Sequence, residues 1–431
     1  MHELHRDEHP GVVMRSKVVL AGLAIAAVAA GFEFYGLFPG GLDHPAIEYA
    51  TRPAHNVVSE LNRKIQQGEI RLTFNGPSGY LRSTLQALNI PVESQMVVFS
   101  KTSLQQPLIN PLNPRSIFFN DSVAAAWVHG EPFVELAVED PRQGVIFYTL
   151  DQKPRDKPLF ARQDSCLQCH ESYSSVGVPG MLVRSVFPAA DGTAMHQLGD
   201  YISDHRSPFE ERWGGWYVTG KTGGIRHMGN LIFNNAGGIE PLNTAADIDS
   251  LDGKFDTGPY LSPYSDVVAL MIFDHQMHMM NLFTRAGWEV RWALYEHRAD
   301  TDRIIRDAAN DLVDYLLFAD ETPLRGRIEG TSGFREKFAA EAPRDSHGRS
   351  LRQFDLETRL MRYRCSYMIY STGFDGLPAE LKDAVYQRMW RILSGQETSA
   401  KYAPWPFAAR QAIIEILRET KTGLPDYFRA L

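Results

Sequence analysis

The sequence predicts an α+β protein with an N-terminal export or anchor segment, a small and mostly antiparallel β region, a loop-rich region and a C-terminal helical array. Three observations lead to this prediction. Residues 18–32 carry no charge, short β-like runs separated by turn residues fill 96–150, and apolar residues recur at helical spacing after Pro263. The 431 residues are 44% hydrophobic and 22% charged, which is globular composition sufficient for about two domains.

The N-terminal segment has the pattern of an export signal. Its uncharged run of about fifteen residues follows Arg15 and Lys17 closely. Small residues at Ala27 and Ala29 fit a cleavable signal peptide, whereas an uncleaved segment at 18–38 would anchor the chain in the inner membrane. A buried, alanine-rich helix is the alternative. Both export interpretations place the rest of the chain in the periplasm or another extracytoplasmic compartment.

The β region follows a weakly helical stretch at 46–70. Asn, Asp, Pro and Gly residues separate its β-like runs, as is typical of an antiparallel sheet. The runs lie at 96–99, 116–119, 123–128, 133–138 and 144–150, and a further strand is expected at 181–187.

The C-terminal third has helical periodicity. Apolar residues recur at spacings of three and four through about thirty residues after Pro263, which predicts one long helix capped by Ser262 or Ser265. Further helices are expected at 303–317, 334–340, 379–393 and 406–418. The predicted division is therefore a signal or anchor at 1–40, an α+β region at 41–260, and a helical region at 261–431 that packs on it.

The formal net charge of −8 argues against a nucleic-acid partner, because phosphate binding needs clustered positive charge. The three cysteines are too few for a disulfide framework. Cys365 is expected to be a buried, small apolar residue in a helix around 363–370. The placement of the other two cysteines is the informative feature.

Cys166, Cys169 and His170 form the pattern Cys-x-x-Cys-His, which is typical of covalent haem attachment. Two thiols three positions apart share one helical face and can form thioethers with the two vinyl groups of a haem, and the adjacent imidazole then becomes the proximal iron ligand. A thioredoxin-like pair would need a preceding strand and an aromatic or Gly-Pro context, and a zinc site would need a second ligand pair.

In this motif alone the chain resembles the c-type cytochromes, while the compact cytochrome fold is not evident around it. The resemblance implies one covalent haem c in the loop-rich part of 41–260. Because thioether attachment takes place outside the cytoplasm, the motif and the export segment agree.

The residue on the far side of the iron decides the chemistry, because Met or His there gives a sealed electron carrier and an open position admits a small oxidant. His227 is the first candidate and Met228 the second. Glycines at 223, 224 and 229 would let this chain segment approach a flat macrocycle. Arg226 would offer positive charge to a propionate or to a reacting oxygen anion.

Two other segments are candidates for the same pocket. His205, between Asp204 and Arg206, is a candidate to hydrogen-bond a group around the iron or to bind a haem propionate. The run from His275 to Met280 could point His275, His278 or Met279 at the haem, or hold copper, although methionines at helical spacing are more often core. Three aromatic residues are candidates to pack on the porphyrin or to relay electrons, namely Trp213, Trp216 and Tyr217. The candidates to pair with propionates are Arg206, Arg212 and Arg226.

The leading functional expectation is an exported monohaem c-type cytochrome that exchanges electrons with a redox partner protein or a small oxidant. The chain is longer than a simple electron carrier needs. A haem-dependent, peroxidase-like oxidoreductase is therefore the alternative. In that enzyme the distal iron site is open or exchangeable, His227 is the acid–base group and Arg226 stabilises an anionic oxygen. A haem-based sensor is the third possibility.

Overall fold

The computed structural model describes residues 37–234, 241–243, 246–397 and 399–428, and it has the predicted α+β class. Residues 18–36 of the predicted export or anchor segment lie outside this described part. None of the helices within the described ranges is long and apolar enough to cross a membrane.

All the named strands pair with their neighbours in the antiparallel direction. The strands are β1 (Met96–Val98), β2 (Arg115–Phe119), β3 (Val123–Val128), β4 (Phe133–Asp140), β5 (Gly144–Asp151), β6 (Ala161–Arg162), β7 (Val183–Val186), β8 (Asp200–Ser203) and β9 (Trp216–Tyr217). Seven of them form one sheet in the order β6-β5-β4-β3-β2-β1-β9, and β7 pairs with β8 separately. The five runs predicted between 96 and 150 are confirmed as β1 to β5. The strand expected at 181–187 is shorter, because both backbone groups of Met181 bond to the side chain of Asn281 instead.

The helices predicted for the C-terminal third of the chain are also confirmed. The helices are α1 (Val57–Gln67), α2 (Leu81–Ala87), α3 (Leu167–His170), α4 (Val267–Tyr295), α5 (Thr301–Leu316), α6 (Phe334–Ala340), α7 (Thr372–Asp375), α8 (Ala379–Leu393) and α9 (Phe407–Thr420). The helical stretch expected at 46–70 narrows to α1, which Asn56 caps and Gly68 ends in the left-handed conformation.

The N-cap of the long helix α4 lies one residue after the second predicted cap. Asp266, not Ser262 or Ser265, accepts the backbone N–H groups of Val268 and Ala269. The Ser265 hydroxyl donates to the Tyr217 carbonyl oxygen and accepts the Val97 N–H, which ties the start of α4 to the sheet. A carboxylate at the N-cap also suits the positive end of the helix.

The two faces of the sheet pack against different layers. Phe118 and Ala125 lie on the face covered by α1 and α2. The opposite face, which carries Phe119 and Phe147, packs against α4 and shares its hydrophobic core with the C-terminal helices. This core contains residues from both sides of the expected 260/261 boundary. Cys365 is fully buried in it as expected, although the nearby helical turn is a short 3-10 segment that starts only at Tyr367.

Candidate functional site

The Cys-x-x-Cys-His segment lies just after the edge strand β6, on a 3-10 turn at Asp164–Cys166 followed by the one-turn helix α3. Two hydrogen bonds fix its start to β5. The Gln163 N–H donates to the Phe147 carbonyl oxygen at 2.9 Å, and its side-chain amide donates to the Thr149 hydroxyl at 3.0 Å. Both cysteines are free thiols. The motif is thus held against the sheet, with Cys169 exposed and Cys166 half-buried.

His170 is held in one tautomer by Gly180. Its ring Nδ1 lies 2.9 Å from the Gly180 carbonyl oxygen, and the Gly180 N–H donates to the His170 carbonyl oxygen, also at 2.9 Å. A carbonyl oxygen can only accept, so Nδ1 carries the proton and Nε2 presents its lone pair. Burial lowers the pKa of the imidazole, which keeps it neutral at neutral pH. This is the arrangement that an iron-ligating histidine requires.

Gly180 is fixed in turn by the long helix α4. The Asn281 side chain accepts the Met181 N–H at 3.0 Å and donates to the Met181 carbonyl oxygen at 2.6 Å. A Cβ atom on Gly180 would collide with the Asn281 amide oxygen, so only glycine fits there. The orientation of His170 therefore depends on a side chain more than a hundred residues away in the sequence.

The two thiols have charged neighbours that the sequence did not single out. The Arg115–Glu135 ion pair influences Cys166, and Arg184, which pairs with Asp200, lies near Cys169. Burial raises the pKa of the Cys166 thiol to about 11. A redox-active pair of the thioredoxin kind needs a lowered pKa, so this environment does not suit that alternative.

Small side chains line the sheet beside His170. Ala124, Ala137 and Phe147 are direct neighbours across β3, β4 and β5, and the Phe147 ring centroid lies 4.8 Å from that of His170. Ala137 is half-buried although its strand is internal to the sheet, and Ala126 on the same face is 6% exposed. On the opposite face Ala125 is completely buried. We call the three residues Ala124, Ala126 and Ala137 the alanine floor, and they share the face of the sheet that carries Phe147.

His227 and Met228 have contacts different from those of His170. His227 is buried with its ring 5.4 Å from that of Trp213, and its Nδ1 accepts the Gly229 N–H at 3.0 Å. Accepting at Nδ1 puts the proton of the neutral ring on Nε2, the opposite tautomer to that of His170. Burial lowers its pKa to about 4. Met228 lies in a small apolar cluster and accepts the Ser185 hydroxyl at 3.8 Å.

The neighbouring glycines and Arg226 do not form a common cradle with His227. A Cβ atom on Gly223 would collide with the backbone of Gly326 and Arg327, and one on Gly229 would meet His227 itself. Gly223 and Gly229 therefore lie where other parts of this chain approach their backbone closely. Arg226 is exposed while His227 is buried, so the two side chains have different surroundings.

The other two candidate segments meet each other in the interior. His205 Nδ1 lies 2.8 Å from His275 Nδ1, and His275 Nε2 lies 2.7 Å from the Ser366 hydroxyl. Arg206 pairs with Asp204 and lies 3.1 Å from His278 Nε2. Burial lowers the pKa of His275 to about 3 and that of His278 to about 4. Sequence reasoning treated these segments as rivals for one pocket, whereas the structure joins them in one buried polar network.

Further candidate residues extend this network. Arg212 donates to the carbonyl oxygens of His205 and Ser207, and the Trp213 indole N–H donates to the Asp274 carboxylate at 2.9 Å. Met279 is buried in the core, which is the structural role considered for it. Within the described ranges, no group of three or more His, Cys, Asp or Glu side chains is placed to hold a metal ion, so the copper alternative gains no support.

Sequence reasoning missed Arg115, Phe147, Gly180, Arg184 and Asn281. They come from separate strands, a loop and a helix, and no spacing along the chain connects them to the motif. The alanine run 124–126 inside a β-like segment was the one local signal, because strand interiors usually carry larger side chains. No protein-family model, curated protein or solved structure matches this chain.

Proposed function

We propose that this chain is an exported monohaem c-type cytochrome that carries electrons, with the haem attached through Cys166 and Cys169 and its iron ligated by His170. The observation that carries the proposal is the hydrogen bond between His170 Nδ1 and the Gly180 carbonyl oxygen, at the end of a Cys-x-x-Cys-His segment with two free thiols. This bond leaves Nε2 available, and Nε2 makes no hydrogen bond to the described residues.

The surroundings of the motif fit a flat, largely apolar group with two carboxylates at its edge. The alanine floor and Phe147 offer apolar contact beside His170. Arg115 and Arg184 lie near the two thiols and are candidates to pair with propionates, in exchange for or beside their present partners Glu135 and Asp200. Arg206 and Arg212 are engaged in the buried network and are poorer candidates.

A bound haem c would supply a one-electron redox centre. The chain's own contribution is to fix the ligand, to exclude water with Phe147 and the alanine floor, and to set the local charge with Arg115–Glu135 and Arg184–Asp200. The function proposed is electron exchange with a redox partner protein or a small oxidant. The export segment predicted from the sequence supports an exchange outside the cytoplasm, with 18–38 as an anchor if it is not cleaved.

A haem-dependent oxidoreductase is the second candidate, and the tautomer of His227 fits a hydrogen-bond donor in such a site. The neutral ring with its proton on Nε2 can donate to an anionic oxygen, whereas the acid–base role expected from the sequence needs a free Nε2 lone pair, which this tautomer lacks. No observation on the described residues favours the sensor.

The experiment is expression of the full chain in a bacterium that matures c-type haem, followed by denaturing electrophoresis and staining for haem. We expect a stained band for the wild type and none for the Cys166→Ala/Cys169→Ala variant. Cys365→Ala is the matched control, because this thiol is buried outside the motif and its removal should leave the stain unchanged. An unstained wild type, at normal protein level, overturns the proposal.

A spectrum separates the two candidate functions. An electron carrier with both axial positions filled keeps its reduced spectrum when carbon monoxide is added. A rapid spectral change with carbon monoxide or cyanide would instead favour the oxidoreductase.

A further inference from the structure

A cavity of about 280 Å³ opens in the C-terminal helical region, between residues 359–364 and the start of α9. Three arginines, Arg359, Arg362 and Arg364, line it. Trp405 and the first turns of α9 also line it. Its volume lies just below the range of about 300–1,000 Å³ that is typical of small-molecule sites, which suits a ligand of few atoms.

Among the described residues, the three arginines of this cavity have no carboxylate partner. None of them forms an ion pair with a carboxylate among the described residues, and the buried Nε of Arg359 has no hydrogen-bond acceptor there. Other half-buried arginines of the same region are paired, as Arg349 is with Asp345 at 2.6 Å. A buried guanidinium donor without an acceptor is unfavourable, so a ligand that supplied one would bind favourably.

Two of the positive charges at the cavity, those of Arg359 and Arg364, repel each other. Burial and the neighbouring guanidinium of Arg359 lower the pKa of Arg364. Glu321 is the carboxyl group that acts on both arginines, yet it accepts the Leu360 N–H and forms no ion pair with either. Burial raises its pKa to about 7, so it compensates the positive charge only in part.

The start of α9 adds positive potential to the same cavity. Pro406 precedes the helix without a side-chain cap, and its first turn contains no acidic residue. The free N–H groups and the dipole of a helix N-terminus favour an anion. This helix end adds to the positive potential that the three arginines already give the cavity.

An aromatic wall completes the cavity. The Arg364 guanidinium lies 5.2 Å from the centroid of the buried Trp405 ring, and the Tyr363 ring also lines the space. Aromatic rings are suited to pack against a flat apolar group, while the guanidiniums match carboxylate geometry. We propose that this cavity binds a small organic anion, a carboxylate with a flat apolar body, independently of the haem site.

The experiment is isothermal titration calorimetry of the purified full-length holoprotein with benzoate as the probe. We expect one saturable site with a Kd of roughly 1 mM, as befits a ligand of few atoms. Benzamide, which has the same shape without the charge, should not bind. Arg359→Gln/Arg364→Gln should weaken benzoate binding about tenfold or more, since each lost charge-assisted contact is worth about a factor of ten.

The controls separate loss of the site from loss of the fold. Arg306→Gln removes an exposed arginine of α5 and should bind benzoate as the wild type does. Arg362→Gln changes an exposed residue at the cavity and should weaken binding even if the double variant does not fold. Wild-type affinity in both Arg359→Gln/Arg364→Gln and Arg362→Gln overturns the proposal. Binding of inorganic phosphate without binding of benzoate overturns the assignment of an apolar ligand body.

Discussion

Asn281 holds both backbone hydrogen-bonding groups of Met181, accepting its N–H at 3.0 Å and donating to its carbonyl oxygen at 2.6 Å. Asn281 is buried in the middle of α4, and Met181 directly follows the Gly180 carbonyl group that orients His170. The long helix and the candidate haem site are therefore coupled through one side chain. Loss of the contact between Asn281 and Met181 should therefore affect both the stability of the fold and the orientation of His170.

Asn281→Ala should destabilise the protein by about 2–5 kcal/mol, because it leaves two buried backbone groups of Met181 without partners. Chemical unfolding of purified protein measures this loss. Asn62 makes the same two-bond contact with the backbone of Phe160 but is only half-buried. Asn62→Ala is the matched control, with an expected loss of about 1 kcal/mol. Equal losses in the two variants would contradict the special importance of Asn281.

The alanine floor gives a second prediction. Ala137→Leu places a larger side chain beside Phe147, where a flat group would lie, while its half-buried position keeps the cost to folding at about 1 kcal/mol. We expect a folded protein that carries less haem, measured as haem absorbance per mole of protein. Ala161→Leu, on the exposed edge strand β6, is the control. Full haem content in Ala137→Leu would remove the floor from the proposed site.

The helices and strands were largely predictable because each depends on local periodicity. Residues 334–340 and 379–393 were predicted with the bounds they have as α6 and α8, and 123–128 with those of β3. The cap of α4 was misassigned because Ser265 and Asp266 are adjacent and both are good caps. Only the tertiary contact of Ser265 with Tyr217 and Val97 decides between them.

The candidate site was predictable only where its residues are contiguous in sequence. Cys166, Cys169 and His170 are recognisable from their spacing. The group that orients His170 is a backbone carbonyl oxygen, which every residue has and which no sequence pattern identifies. The pairing of His205 with His275 depends on how α4 packs against a distant loop. Sequence spacing carries no information on that packing.

The buried imidazoles make a prediction about pH. His275 stays neutral in the folded protein because burial lowers its pKa to about 3, whereas in the unfolded chain it takes up a proton below about pH 6.5. Its contribution to stability is therefore complete above pH 6.5 and is lost as the pH falls, by up to about 1.4 kcal/mol per pH unit.

His275→Gln removes this titration while keeping a polar group near Ser366. The difference in unfolding free energy between the wild type and His275→Gln should shrink by about 2 kcal/mol between pH 6.5 and pH 5. Urea unfolding at the two pH values measures it. His129→Gln, at an exposed position, should leave the pH dependence of stability as in the wild type. A pH-independent difference for His275→Gln would mean that the imidazole is not neutral in the folded protein.

His227 provides the last prediction, because its hydrogen bond argues against the ligand role that its sequence context suggested. Its Nδ1 accepts the Gly229 N–H, so Nε2 carries the proton and has no lone pair for iron. We therefore expect His227→Ala to keep the wild-type absorption spectrum and the wild-type response to carbon monoxide. If the protein is an oxidoreductase, its reactivity with peroxide should instead fall by about 10²-fold, as expected for the loss of one hydrogen-bond donor to an anionic oxygen. Met228→Leu, which preserves volume, is the companion variant for the other candidate. Stronger binding of carbon monoxide in His227→Ala, with Met228→Leu unchanged, would show that His227 rotates away from Gly229 and occupies the iron.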